Sequence, residues 1–198
     1  MLIVGINGSP KKEGNTAFLV REGLAVAEAA GAKTALINVS DSLAGQKTPY
    51  CIQCSNPCQG NCSRDNPLGE AYDLLRKADG LILGSPVYFG TVSAQLKAFW
   101  DKSRILRKEK ALYNVPGAAV AVGASRFGGQ ETTIKALFDM MLVQGMLIVG
   151  DGYRDADCGH QGACSHAPAD QDEYAIKRVR LIGQRLAEVA AATMTLRK

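Results

Sequence analysis

The sequence predicts an α/β protein in which an open, doubly wound parallel sheet carries helices on both faces. Two observations predict this fold class. Short apolar runs alternate along the 198 residues with stretches in which apolar side chains recur at helical spacing. Several runs are apolar at consecutive positions, which is typical of parallel strands covered on both faces. Such alternation favours right-handed crossovers, so ligands are expected at the carboxyl ends of the strands.

The first half of the chain predicts two strands and two helices. Residues 2–6 form an apolar run that ends at an Asn-Gly pair. Asn15 or Thr16 is then expected to cap an amphipathic helix that closes at Gly31. Two further elements follow after a short turn and a long irregular segment, a strand at residues 35–39 and a helix at about residues 69–78.

The second half predicts three strands and three helices. The strands are three apolar runs that end at glycine, at residues 81–83, 118–122 and 147–149. The helices are marked by apolar residues at helical spacing, namely Leu96, Phe99 and Trp100, then Ile134, Leu137, Phe138 and Met141, and last Ile176, Val179, Ile182, Leu186 and Val189. With the first half this gives five strands and five helices. We expect one domain over residues 1–198, with a cysteine-rich loop at about 45–67 and a long late loop at about 151–170.

Composition excludes several classes of function. The formal net charge is +4 and there is one tryptophan, so the chain offers neither a basic groove nor a stacking platform for nucleic acid. It carries no secretory signal and no apolar run of membrane-spanning length, which predicts a cytoplasmic protein without a membrane partner. In a reducing compartment its six cysteines are expected to be ligands or free thiols.

The segment between the first strand and the first helix has the composition of an anion site. Residues 8–16 contain two glycines, a serine, two lysines, an asparagine and a threonine. Backbone N–H groups and the helix dipole favour an anion there. The glycine spacing fits neither the nucleoside triphosphatase loop nor the dinucleotide fingerprint. An ordinary strand-to-helix turn with a hydroxyl cap explains the same residues and stays open as an alternative.

Three motifs carry a resemblance to a known family. They are residues 5–16 (GINGSPKKEGNT), residues 84–90 (GSPVYFG) and residues 93–97 (SAQLK). Together they resemble the iron-sulfur flavoproteins within the NADPH-dependent FMN reductase group. A second similarity, at residues 128–133 (GGQETT) and at Gly145-Met146 with the strand after it, is to flavodoxin-like quinone reductases of the tryptophan-repressor-binding type. The resemblance covers residues 1 to about 150.

The resemblance implies a flavodoxin-like fold with strand order 2-1-3-4-5, FMN as cofactor, and a homodimer or homotetramer. The FMN phosphate is then expected on the first loop, at Ser9, Lys11, Asn15 and Thr16. The isoalloxazine ring is expected against the second loop, at Pro86, Val87, Tyr88, Phe89 and Gly90. The other edge of the ring is expected at the third loop, at Ala124, Ser125, Arg126, Gly128 and Gly129. Glycines allow backbone to approach a flat ring, and backbone N–H groups can tune its potential.

Four cysteines lie within twelve residues and can converge on one metal centre. They are Cys51, Cys54, Cys58 and Cys62, with gaps of two, three and three residues. Structural zinc usually uses two ligand pairs set well apart, so the even spacing favours an iron-sulfur cluster, of the [4Fe-4S] type, over zinc. In the family that the chain resembles, the cysteines are separated by two, two and then a larger number of residues. The number of ligands therefore carries over to this chain, but the geometry of the loop does not. Because the loop follows the second strand, we expect it at the sheet edge that holds FMN.

The late loop contains a second group of potential ligands. Cys158, His160, Cys164 and His166 include both histidines of the chain. Four such donors can bind zinc. A mobile cover over the flavin explains the loop better, since it leaves the carboxyl end of the last strand. His160 then either donates a proton to a reduced quinone or is a surface residue.

Two functions from the same resemblance compete. In the first, electrons pass between an iron-sulfur cluster and FMN, because flavin joins one-electron to two-electron chemistry, and then to a small-molecule or protein acceptor. Ferredoxin or NAD(P)H is the expected donor. In the second, the chain is an NAD(P)H-dependent FMN or quinone reductase whose cysteine loop is structural, with zinc or without metal. A zinc-stabilised binding module without catalysis leaves the three loop motifs unexplained.

Overall fold

The computed structural model describes residues 1–197, and its centre is a parallel sheet. The strands are β1 (Leu2–Asn7), β2 (Lys33–Asn38), β3 (Gly80–Pro86), β4 (Pro116–Gly123), β5 (Leu147–Ile148) and β6 (Ala163–His166). The order is β2-β1-β3-β4-β5, and β6 pairs with β4. All these pairings are parallel. The predicted α/β class and the order 2-1-3-4-5 are therefore confirmed, and the sheet gains a sixth strand.

The described residues form seven α-helices. They are α1 (Asn15–Ala29), α2 (Val39–Ser42), α3 (Pro67–Lys77), α4 (Ala94–Lys102), α5 (Arg104–Glu109), α6 (Gln130–Leu142) and α7 (Glu173–Ala192). The five predicted helices correspond to α1, α3, α4, α6 and α7. The short helices α2 and α5 were not predicted. The start of α3 lies earlier than expected because Asn66 accepts hydrogen bonds from two backbone N–H groups and Pro67 suits the first helical position.

The sheet buries both faces, as the apolar runs predict. In β1, Ile3 packs in the cluster that contains α1 and α7, whereas Val4 and Ile6 pack in the cluster that contains α3, α4 and α6. Burying one such aliphatic side chain contributes about 1.5–3 kcal/mol. Helices α1 and α7 approach so closely that a Cβ on Gly183 would lie 2.2 Å from the carbonyl oxygen of Gly23.

The late loop is shorter than its prediction. Strand β5 ends at Ile148, the chain leaves the sheet, and it returns as β6 along the same edge of β4. The excursion is held by Arg178, which lies buried on α7 and contacts Asp151 at 2.6 Å and Asp157 at 2.9 Å. The prediction of an irregular connection over all of residues 151–170 is wrong at Ala163–His166, where pairing with β4 makes a strand.

The first helix begins without a side-chain cap. Gly14 is the N-cap residue, in extended conformation, and no side-chain oxygen accepts a hydrogen bond from the first turn. The prediction that Asn15 or Thr16 caps α1 is wrong, because both residues already belong to the helix. The described residues 1–197 include no helix that is both long enough and apolar enough to span a membrane.

Candidate functional site

Three loops meet where β1, β3 and β4 end side by side. The register pairs Asn7 with Gly84 across β1 and β3, and Pro86 with Val122 across β3 and β4. The first loop joins β1 to α1, the second follows β3, and the third follows β4. The sheet therefore brings together all three segments that the sequence singled out for FMN.

The first loop is organised around the buried side chain of Asn7. Its Oδ1 accepts from the N–H of Ser9 at 3.1 Å, and its Nδ2 donates to the carbonyl of Lys11 at 3.0 Å. The Ser9 hydroxyl accepts from the N–H of Lys11 at 3.1 Å. The loop is thus fixed by its own hydrogen bonds, and the Lys11 side chain projects as an exposed cation.

Backbone N–H groups in the first turn of α1 point out of the N-terminus of the helix. Within residues 1–197 the N–H groups of Asn15, Thr16 and Ala17 have no acceptor, and the first turn carries no acidic residue. The Asn15 side chain is occupied differently, because its Oδ1 accepts from the N–H of Ala169 at 3.1 Å. Free N–H groups at the positive end of a 15-residue helix form a site for a phosphate group.

The second loop is a tight turn that presents aromatic side chains. Tyr88 and Thr91 exchange two backbone hydrogen bonds, and Phe89 and Gly90 between them have φ of 49° and 78°. The Phe89 side chain is fully exposed and that of Tyr88 is half-exposed. Behind the turn, Ser93 donates from its hydroxyl to the carbonyl of Gly8 at 2.6 Å. The second loop is therefore joined to the first.

The third loop, residues 124–129, is held by Gln130. This buried side chain donates through Nε2 to the carbonyls of Ser125 at 2.6 Å and Ser165 at 3.1 Å. Its Oε1 accepts from the N–H of Gly128 at 2.8 Å. The residues expected at the ring edge, Ala124, Ser125, Arg126 and Gly128, are exposed around this anchor.

The second and third loops are in contact. A Cβ on Gly129, where φ is 98°, would lie 3.0 Å from Gly90 Cα. The Thr132 hydroxyl donates to the carbonyl of Gly90 at 2.7 Å. The two loops thereby share one surface, and the absence of side chains at Gly90 and Gly129 leaves the backbone free to lie against a flat ring.

A cavity of about 570 Å³ lies beside the third loop. Arg126, Thr132, His166 and Tyr174 are among the residues that line it. The His166 ring is oriented by Asp172, with Nδ1 and Oδ2 3.0 Å apart. Burial raises the pKa of Asp172, but hydrogen bonds from backbone N–H groups outweigh that effect and lower it overall. This pair, rather than His160, faces the predicted ring edge.

The late-loop cysteines and histidines do not form one site. Cys164 lies on β6, where burial raises the pKa of its thiol to about 12. Cys158 is exposed on the excursion before β6. His160 is exposed and donates its backbone N–H to Asp151. The zinc alternative gains no support from this placement. The cover over the flavin stays a prediction, and Ala169 at the end of the late loop contacts Asn15 at the start of α1.

The four-cysteine loop packs against α4 and α5. Cys58 and Cys62 contact the hydrophobic core, whereas Cys54 is exposed. Burial raises the pKa of the Cys62 thiol, a nearby lysine, Lys102, lowers it, and the charges of Cys58 and Cys51 raise it. The loop is therefore partly buried at Cys58 and Cys62 and exposed at Cys54.

The cysteine loop contacts residues at the end of α4 and on α5. Lys102 is the last residue of α4, and the first residue before α4 is Ser93, which contacts the first loop. Lys108, at the end of α5, donates to the carbonyl of Cys58 at 3.1 Å. The expectation that the cysteine loop leaves the sheet at the flavin edge stays a prediction. The loop follows β2, whose last residue Asn38 accepts from Asn7 Nδ2 at 2.9 Å, and the carbonyl of Cys62 accepts from Asn66 at the start of α3 at 3.1 Å.

The donor set suits a metal cluster by its chemistry. All six cysteines are unbridged thiols. In the part of the chain that the structure describes, no three His, Cys, Asp or Glu side chains stand close enough to hold a metal ion. The ammonium of Lys102 is buried, contacts Gln46 Oε1 at 3.3 Å and has no acidic partner within residues 1–197. A negatively charged group on the cysteine loop, to which Gln46 is hydrogen-bonded, suits this unpaired cation.

Several residues of the site were not predicted. Asn7, Gln130 and Thr132 organise the three loops, and Lys102 and Gln46 contact the cysteine loop. Asn7 and Gln130 lie within the motifs that carry the resemblance. Asn7 ends a strand and Gln130 begins a helix, and these positions were the signal that could have identified them. No local signal marks Lys102, because its neighbours are distant in sequence.

Comparison with known proteins gives one family. Residues 1–161 match the model of NADPH-dependent FMN reductases. The chain is 45% identical over 193 residues to an iron-sulfur flavoprotein of Methanocaldococcus jannaschii, with 96% of this chain and 97% of the relative covered. An iron-sulfur flavoprotein of Methanosarcina thermophila is 38% identical over 192 residues, with 96% and 95% covered. A solved WrbA-like flavodoxin of Agrobacterium tumefaciens has a TM-score of 0.69 at 21% identity, with 96% and 97% covered, and shows that the fold is flavodoxin-like.

Proposed function

Because the chain belongs to the NADPH-dependent FMN reductase family and is therefore an FMN-dependent oxidoreductase, we propose that it passes electrons between an iron-sulfur cluster and FMN and then to an acceptor. One observation carries the flavin part: three loops meet at the carboxyl edge of the sheet beside the uncapped start of α1. Its relatives named iron-sulfur flavoproteins support the cluster. The motif-based resemblance to this family is confirmed.

In this proposal the first loop binds the phosphate of FMN, and the second and third loops bind its ring. The N–H groups at the start of α1 and the exposed Lys11 offset the charge of the phosphate, with Ser9, Asn15 and Thr16 around it. Pro86 to Gly90 lie against one part of the ring and Ala124 to Gly129 against another, since the two loops touch. Arg126 supplies positive charge near a reduced flavin. The whole of residues 1–198 acts as one domain in this proposal.

The cysteine loop holds the cluster through Cys51, Cys54, Cys58 and Cys62. An iron-sulfur cluster of the [4Fe-4S] type supplies one-electron chemistry when bound. Cys54 is exposed, and the other three thiols are half-buried. Because no three metal-ligating side chains within residues 1–197 stand close enough to hold a metal ion, the loop must rearrange to bring four thiolates to one centre.

The electron donor and the electron acceptor are inferred from the chemistry of the two cofactors. A one-electron donor such as ferredoxin suits the cluster, and NAD(P)H suits the flavin. The acceptor is a quinone-like small molecule or another protein. A homodimer or homotetramer and a cytoplasmic location stay predictions.

The experiment is anaerobic purification followed by iron, acid-labile sulfide and FMN analysis, with visible and EPR spectra of the oxidised and reduced protein. We expect FMN together with four iron atoms per chain if the cluster is [4Fe-4S]. Cys54→Ser and Cys58→Ser lose the iron and keep FMN. Cys158→Ser is the matched control, an exposed cysteine outside the loop, and keeps both. Wild-type protein with FMN and no iron or sulfide refutes the cluster.

A second candidate is a nicotinamide-dependent FMN or quinone reductase with a structural cysteine loop. The description of the family and the separation of the metal-ligand side chains within residues 1–197 favour it. It predicts that NADPH or NADH bleaches the flavin anaerobically in the Cys54→Ser variant as fast as in the wild type. A protein that NAD(P)H does not reduce, but that a reduced ferredoxin does, excludes this candidate.

A further inference from the structure

Lys102 is a buried cation without an acidic partner. The residue is 4% exposed and closes α4. Its Nζ makes one polar contact, to Gln46 Oε1 at 3.3 Å, and forms no ion pair with any residue of the described range 1–197. Arg178, also buried, has Asp151 and Asp157 as partners. Because a buried unpaired charge is strongly unfavourable, Lys102 requires a negative charge that the acidic residues of the chain do not provide.

One side chain joins Lys102 to the cysteine loop. Gln46, which accepts from Lys102, donates through Nε2 to the carbonyl of Cys62 at 3.0 Å. Cys58 and Cys62 pack against the same hydrophobic cluster as Phe99 of α4. A metal held by the loop takes its cysteines as thiolates, and it thereby places negative charge on the loop that Lys102 contacts through Gln46.

We propose that Lys102 is the counter-charge of the cluster that the cysteine loop holds, and that it raises the reduction potential of that cluster. The inference rests on the proposed function. Four thiolates make an iron-sulfur cluster net negative, and reduction adds another negative charge. A buried cation stabilises the reduced form more than the oxidised form, because its attraction grows with the charge and little water screens it.

The test compares the cluster potential of four proteins by EPR-monitored redox titration. They are the wild type, Lys102→Met, Lys102→Arg and Lys108→Met. Lys108 is the matched control, since its ammonium also contacts the cysteine loop but is exposed to solvent. We expect Lys102→Met to shift the one-electron equilibrium about tenfold toward the oxidised cluster, which is about 59 mV. Lys102→Arg and Lys108→Met stay close to the wild type.

A measurement on cluster-free protein separates charge from packing. Removing an uncompensated buried charge raises the melting temperature of the cluster-free Lys102→Met variant, whereas the same change lowers it in the loaded protein. A lower melting temperature in both states means a packing role and overturns the inference. If Lys102→Met cannot assemble a cluster while Lys102→Arg can, the requirement for charge is supported.

The two proposals fail differently. A wild-type protein without iron and sulfide refutes the proposed function. A wild-type cluster whose potential is the same in Lys102→Met refutes only the role of Lys102.

Discussion

Replacing Gln130 with methionine tests whether one side chain anchors the third loop. Gln130 is buried at the start of α6 and makes three hydrogen bonds, to the carbonyls of Ser125 and Ser165 and from the N–H of Gly128. Methionine keeps the length and flexibility of the side chain and loses all three. Two of the partners belong to the loop, and the third lies on β6, so the substitution disconnects the loop from the sheet.

The magnitude follows from the hydrogen bonds. Each contributes about 0.5–1.5 kcal/mol net, so the loss of three lowers the free energy of unfolding by about 1.5–4.5 kcal/mol. Binding FMN then requires the loop to be ordered again, at about 1–2 kcal/mol for each backbone residue that was freed. One such residue already weakens FMN binding about tenfold.

Two assays measure these effects. Urea denaturation of the flavin-free protein gives the free energy of unfolding, and quenching of flavin fluorescence gives the FMN dissociation constant. Gln171→Met is the matched control, because Gln171 is an exposed glutamine at the same cavity, and it changes stability by no more than about 0.5 kcal/mol. A Gln130→Met protein with wild-type stability and wild-type FMN affinity shows that the anchor is unnecessary.

Three further predictions concern the late segment. Arg178→Met leaves Asp151 buried without its partner and lowers the free energy of unfolding by about 3–5 kcal/mol, measured by urea denaturation. Iodoacetamide at pH 8 alkylates the exposed Cys158 and leaves Cys164 unmodified, because burial raises the pKa of the Cys164 thiol to about 12; mass spectrometry of cluster-free protein reads the outcome, and equal labelling contradicts it. The folded-state pKa of Asp172 is lowered by hydrogen bonds that outweigh burial, so the stability it gives is complete above the unfolded pKa of about 3.9 and is lost as the pH falls through the lower folded value. Asp172→Asn therefore flattens the acid limb of the stability profile in thermal melts, and an unchanged acid limb refutes this origin.

The predicted strands of the sheet could be identified because each of them has its own apolar run in the sequence. Runs such as residues 118–122 are apolar at every position, and burial on both faces requires that. Strand β6 has no such run: its residues are Ala, Cys, Ser and His, and only the exposed edge of β4 makes them a strand. A strand of four residues that forms because it pairs with a distant strand has no hydrophobic periodicity that a sequence analysis could detect.

The candidate site likewise has parts that the sequence predicts and parts that depend on contacts between distant residues. The three loops were predictable because each follows a recognisable strand, and parallel strands end at one edge. Gln130 could be placed in a motif but not given a role, since its partner Ser165 is 35 residues away. No basic residue lies between Cys51 and Ser63, and the buried cation that contacts the cysteine loop through Gln46 comes from α4.

Helix α4 contacts both candidate sites. Ser93, its N-cap residue, donates to the carbonyl of Gly8 in the first loop. Lys102, its last residue, donates to Gln46, which in turn donates to the carbonyl of Cys62. At 1.5 Å per residue this nine-residue helix is roughly 13 Å long. The first loop and the cysteine loop are therefore joined by one helix, although they are far apart in sequence.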